Sequence, residues 1–238
     1  MEEKQSGIVL GGINFGENDK ILNVFTPELG VISAKIKGVK KAGAKLKFAS
    51  EPFCFAEFIF SKTNAGRTVI GASLIDSFYP VRENLEKYFC AGTVVEFVKR
   101  FYRENISSPQ IFFSVIDTLK QIAYSEISPK TSLVSFLVSA LKDAGYGLNL
   151  STCAECGCEI EGRVFFDYRS GGFYCQKCFD GTGREVLKET FDALNSVISG
   201  KIPDGDGVVK ALKLLEYYIE RKADEKLSSL TELLKICV

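Results

Sequence analysis

Two Cys-x-x-Cys pairs, Cys153-Ala-Glu-Cys156 and Cys175-Gln-Lys-Cys178, stand eighteen residues apart and constrain this chain more than any other feature. A Cys-x-x-Cys turn lets two thiolates reach one ion. A second such turn, returned by a short hairpin, completes a tetrahedral shell with metal–sulfur distances of about 2.3 Å. Gly157 after the first knuckle and Gly171-Gly172 before the second supply the turns, and Arg163 to Tyr168 between them reads as a strand. Four protein thiolates leave no position open for water, so Cys153, Cys156, Cys175 and Cys178 are expected to hold one structural zinc ion. The competing readings are a redox dithiol, which belongs beside a βαβ pattern absent from this stretch, and buried free cysteines. Cys158 is placed where it can substitute for Cys156 as a ligand.

The remaining composition sets the class. With 46% hydrophobic and 25% charged residues over 238 positions, the chain can bury a substantial core in two or three modules. Thirty basic and thirty acidic residues cancel, so any binding of a polyanion needs a local excess of positive charge. There is no histidine, which removes the commonest general base, the Ser-His and Cys-His nucleophile pairs and every histidine metal ligand. No apolar run is long enough to span a bilayer, and the start, MEEKQSGIVL, lacks a secretory pattern, so a cytoplasmic protein is expected.

Residues 7 to 79 read as five short strands, Gly7–Ile13, Lys20–Phe25, Gly30–Lys37, Pro52–Phe60 and Thr68–Phe78, bounded by Gly, Asn, Asp and Pro. That count suits a small closed barrel, either an OB-fold or an SH3-like barrel. From Arg82 the apolar period becomes helical, with stripes through Leu85, Tyr88, Phe89, Val95, Val98 and Tyr102, then after Pro109, then after Pro129. Helical patterning returns at Arg184–Ser199, Gly207–Arg221 and Glu225–Ile236, with a turn expected across 202–207. These stripes need one another for burial. The expected architecture is therefore α+β: a barrel over 1–80, a helical domain from 81–150 and 180–238, and the cysteine module of 151–179 inserted within it.

Lys35, Lys37, Lys40, Lys41, Lys45 and Lys47 fall in thirteen residues without one acidic neighbour. Lys35 and Lys37 alternate on a strand and share a face, while Gly38 and Gly43 make Lys40 to Lys45 a mobile loop able to follow a phosphate backbone. Lysine is a point charge without a planar fork, so the patch suits sequence-independent contact with single- or double-stranded nucleic acid. Arg67 is expected to join it from the following hairpin. The plainer reading of such a run is a solvated loop.

Taken together, Gly7-Ile8-Val9-Leu10, the turn Gly16-Glu17-Asn18-Asp19-Lys20-Ile21-Leu22, Thr26-Pro27-Glu28-Leu29-Gly30 and Ser33-Ala34-Lys35-Ile36-Lys37-Gly38 resemble the amino-terminal domain of the RecO family. Pro52-Phe53, the Ser77-Phe78 to Arg82-Glu83 junction and the two knuckles, with Ser170-Gly171-Gly172 before the second, continue the likeness over most of the chain. The resemblance implies an OB-fold followed by a helical domain with a zinc module. It also implies a DNA repair and recombination mediator of the bacterial cytoplasm and nucleoid. Such a protein binds single- and double-stranded DNA, anneals complementary strands, and works with RecR and single-stranded DNA-binding protein to load RecA. No catalysis is expected of it, in agreement with the lack of a GxxxxGK[ST] phosphate loop. Two rivals stand beside this reading: an enzyme using scattered carboxylates, and a zinc-stabilised protein–protein scaffold without direct DNA binding.

Overall fold

The computed structural model describes residues 2–201, 203 and 205–237. They fall into two compact units, Met1–Leu85 with Val95–Ala123, and Glu86–Val94 with Tyr124–Val238.

In the first unit, β1 (Glu2–Phe15), β2 (Asp19–Thr26), β3 (Gly30–Ile36), β4 (Phe55–Thr63) and β5 (Gly66–Asp76) close into a barrel of order β1-β2-β3-β5-β4. The parallel pairing of β3 with β5, and β1 serving both β2 and β4, is OB-fold topology. That settles the choice the strand count left open. β1 turns the barrel corner at a bulge between Val9 and Gly11, where Gly11 takes φ +130. Side-chain alternation does the rest: Leu22, Val24, Ile32, Ala34, Ile36, Phe58 and Phe60 point inward to one core. Burying each large apolar side chain contributes about 1.5–3 kcal/mol before conformational entropy is subtracted.

Phe53 lies at φ +67, outside any strand geometry, so β4 begins at Phe55 and not at Pro52. Phe78, also buried, takes φ +46. Arg82 ties the two bends together, donating to the carbonyls of Ser77 at 2.6 Å and Pro52 at 2.5 Å.

α1 (Leu85–Phe101) is shared between the units, and α2 (Pro109–Tyr124) up to Ala123 belongs with the barrel. The reason is aromatic packing. Phe112 of α2 sits 5.6 Å from Phe25 and 6.1 Å from Phe55, ring centroid to centroid. Leu85 and Tyr88, expected on the buried stripe of α1, are exposed, and Cys90, Ala91, Val94, Phe97 and Val98 form the buried side.

The second unit contains α3 (Pro129–Asp143), α4 (Lys188–Ile198), α5 (Asp206–Tyr218), a π-helical turn (Ile219–Ala223) and α6 (Ser228–Ile236). With them stands a three-stranded sheet, β7-β6-β8, of β6 (Val164–Asp167), β7 (Gly172–Cys175) and β8 (Arg184–Val186). Of the early helices, α3 packs with α4 and α5. The cysteine module is anchored in the same core: Phe166 and Phe173 meet Tyr218 and Phe191 at 5.7 and 5.1 Å. β8 corrects the expected helix start at Arg184. Gly181 and Gly183 take positive φ, and Val186 pairs with Val164, so the chain stays extended until Lys188. Of the turn expected at 202–207, Ile202 and Asp204 lie outside the described residues.

Candidate nucleic-acid interface and metal centre

The sulfurs of Cys153, Cys156, Cys175 and Cys178 all lie within 4.8 Å of one another, with Cys156 to Cys175 at 4.0 Å. A regular tetrahedron of thiolates at about 2.3 Å from a central ion has sulfur–sulfur edges of about 3.8 Å, so the four match the shell a tetrahedral divalent ion takes. Each knuckle is closed by its own backbone: the Gly157 N–H donates to Cys153 O at 2.9 Å and the Cys178 N–H to Cys175 O at 3.1 Å. Gly157, at φ +71, makes the first turn available to the chain. Burial alone would raise the Cys153 thiol, but the backbone N–H groups of Cys156, Cys175 and Glu155 hold it down to about 6. The same kind of contact from Cys178 lowers Cys175. Backbone N–H groups aimed at these two sulfurs favour their thiolates, whereas the neighbouring sulfurs of Cys156 and Cys175 raise Cys178. The exposed Cys158 places its sulfur 3.1 Å from that of Cys156 and outside the four-sulfur group.

On the barrel, the lysine segment is organised as a succession of turns after β3. The N–H groups of Lys41, Ala44, Lys47, Ala49 and Ser50 each donate to the carbonyl three residues back, at 3.1–3.2 Å. Val39 is buried, and Leu46 and Phe48 pack on the barrel core, pinning the segment at both ends. The segment is thus a ridge whose apolar residues face in and whose lysines face out. Asp19 fastens its start. One carboxylate oxygen accepts from the Gly38 N–H at 2.8 Å, and the other meets the Lys35 ammonium at 2.9 Å. The Gly38 contact is the largest influence holding the Asp19 carboxyl below its ordinary value, followed by Lys35.

The basic residues of this region divide into two groups. Lys35 is held by Asp19 and lies 4.5 Å over the Phe15 ring. Arg67, expected to join the patch, is bound by Glu104 at 2.7 Å and Glu3 at 3.2 Å with only 9% of its side chain exposed, so its charge is already satisfied. Lys37, Lys40, Lys41, Lys45 and Lys47 are exposed, and among the described residues no carboxylate lies within ion-pair distance of any of them.

Beside the ridge, the register Ile13↔Ile21↔Lys35 places these three on the outward face of β1, β2 and β3, and Phe15 follows two residues on with 48% of its surface exposed. OB-folds receive nucleic acid on the strand 2–3 face, where exposed aromatic rings stack with bases. Phe15 and Asp19 were not singled out from the sequence. The signal was an aromatic residue on the polar phase of an alternating strand, beside a Gly-Glu-Asn-Asp turn.

Among the described residues no helix is long and apolar enough to cross a membrane. The family model for the recombination protein O amino-terminal domain matches residues 1–78, and the model for its carboxy-terminal domain matches residues 82–231. A DNA repair protein RecO from Acetivibrio thermocellus is 28% identical over 84% of this chain and 80% of its own length. One from Caldicellulosiruptor bescii is 25% identical over 96% and 89%. The Bacillus subtilis protein of the same name is 31% identical over 76% and 70%. With both domain models matched in order, one on the barrel and the other on the segment carrying the four-cysteine cluster, the chain belongs to the recombination protein O (RecO) family.

Proposed function

We propose that this protein is a non-enzymatic DNA repair and recombination mediator that grips the sugar–phosphate backbone of single- and double-stranded DNA and promotes pairing of complementary strands. The observation that carries the reading is the ridge of Lys37, Lys40, Lys41, Lys45 and Lys47, unpaired with any carboxylate among the described residues, beside the exposed Phe15 on the outward barrel face. Phosphates neutralised by the lysines release their counterions, while Phe15 offers a π-face to any base. Lys35, held between Asp19 and Phe15, orients that ring.

Annealing then follows from proximity. Two polyanions are screened and held together, and no residue gains or loses a proton, which suits a chain without histidine. The metal of the four-cysteine cluster is zinc, bound by Cys153, Cys156, Cys175 and Cys178, and its part is to fix the fold of the module. The names of the relatives support the repair setting. In that setting the partners are RecR and single-stranded DNA-binding protein, and the outcome is RecA loading in the bacterial cytoplasm, at the nucleoid.

The test is an annealing assay with complementary oligonucleotides coated with single-stranded DNA-binding protein, with zinc measured on the same sample. Pairing faster than the spontaneous rate, by protein carrying one zinc per chain, is expected. Zinc-loaded protein that neither accelerates pairing nor binds the oligonucleotides in dilute salt would remove the proposal.

A further inference from the structure

The second unit carries a cationic and aromatic group that the lysine ridge does not account for. Several basic side chains around the cysteine module are engaged by acids: Arg163 by Glu185, Arg169 by Asp167, Lys188 by Asp192 and Lys210 by Glu189. Arg184 and Arg221 are not. Both are exposed, and among the described residues neither has a carboxylate within ion-pair distance. Instead their guanidinium carbons lie 4.3 and 5.9 Å from the centroid of one ring, that of the half-buried Tyr217. Tyr168 meets the same ring edge-on at 5.9 Å and 83°.

Local structure explains the convergence. β8 holds Arg184 at the sheet edge by pairing with β6. Tyr217 follows Lys213 by one helical turn on α5, and Arg221 follows Tyr217 by four residues, in the π-helical turn Ile219–Ala223. Such turns recur at functional sites because they re-aim side chains that a regular helix would place elsewhere. The exposed Lys213 continues the basic line on the same helix.

Two unneutralised guanidinium forks held about one flat ring fit a ligand that alternates anionic and planar groups. Guanidinium groups bind phosphate oxygens in pairs, and tyrosine rings stack with bases. We propose that Arg184, Tyr217 and Arg221, with Tyr168 and Lys213 beside them, form a second contact site for single-stranded nucleic acid, distinct from the lysine ridge. The choice of ligand rests on reading the chain as a nucleic-acid-binding protein. The site itself rests on different residues in a different unit.

The experiment uses the full-length, metal-loaded chain and a single-stranded oligonucleotide carrying 5-iodouracil, which photocross-links to aromatic rings it stacks on. Adducts are mapped by mass spectrometry, and affinity is read by fluorescence anisotropy. Adducts on Tyr217 or Tyr168 are expected. Arg184→Ala with Arg221→Ala should abolish these adducts and weaken binding about 20-fold at about 0.1 M salt, the effect of two lost phosphate contacts. Arg184→Lys with Arg221→Lys keeps the charge, and should restore most of the affinity if the alanine loss is electrostatic and not a folding defect. Adducts confined to Phe15 with unchanged affinity of the arginine variants would overturn this site and leave the lysine-ridge reading standing. Adducts at Tyr217 that survive lysine-ridge substitutions would support the site as one independent of the ridge. An acidic peptide that occupies the arginines while oligonucleotide does not would also overturn it, making the surface a protein dock.

Discussion

Replacing Lys40, Lys41 and Lys45 together with alanine tests the nucleic-acid reading at its source. These three belong to the five exposed ridge lysines without a carboxylate partner among the described residues, and each lost phosphate contact on a single strand should reduce the slope of log K against log salt by about 0.7. The ridge as a whole therefore accounts for a slope of about −3.5, and the triple variant retains about −1.4 of it. Between about 50 and 200 mM salt the ridge contribution should fall roughly a hundredfold in the native protein and only about sevenfold in the variant. Stability should move by no more than about 0.5 kcal/mol, because the altered side chains are exposed while Val39, Leu46 and Phe48 still pin the segment. Fluorescence anisotropy of a labelled oligonucleotide across a salt series, for several base sequences, reads both slope and sequence dependence. All sequences should weaken alike. A slope unchanged from the native value, in a variant with native unfolding behaviour, would refute the assignment of these lysines to phosphate contact.

Other expectations follow from particular contacts. Removing metal with a chelator, or Cys175→Ser, should unfold residues 153–178, seen as rapid amide exchange across β6 and β7; unchanged protection there would mean the module stands on its aromatic packing alone. Cys158→Ser should leave one zinc per chain bound, because its sulfur is outside the four-sulfur group, whereas a loss of half or more of the metal would make it a ligand. Asp19 has a folded pKa below its ordinary 3.8, so its contribution is complete above that value and is lost as pH falls through the lowered one. Acidification below about 3.8 should thus free the Gly38 amide to exchange, and in Asp19→Asn that acid-induced rise should be blunted; an identical rise would exclude Asp19 as the anchor. Gly30→Ala should cost roughly 2–4 kcal/mol in urea unfolding, since φ is +67 and the new methyl would lie 2.2 Å from the Arg103 carbonyl oxygen; a loss under about 0.5 kcal/mol would show that the 103–106 segment yields freely.

Much of this molecule is written in local pattern. The spacing of Cys153, Cys156, Cys175 and Cys178 predicted a four-thiolate cluster because each knuckle is a short turn that needs only its own residues and one hairpin. The inward alternation of Leu22 with Val24, or Phe58 with Phe60, marked barrel strands for the same reason. Less legible was anything three residues long or less: β8 has no measurable period, and its extended state depends on pairing with β6.

The sequence by itself determined most of the elements, the cysteine cluster and where positive charge is concentrated, because each depends on neighbours a few positions away. Only the tertiary structure decided which of those charges are available. Lys35 and Arg67 are spent on Asp19, Glu3 and Glu104, carboxylates brought from other strands and from beyond α1, while Lys40 and its neighbours are left unpaired. It also decided the barrel's parallel β3–β5 closure and the meeting of Arg184, Tyr217 and Arg221 about one ring. Charge neutralisation acts through space over a few ångströms, and partners separated by dozens of residues come that close only once the chain has packed.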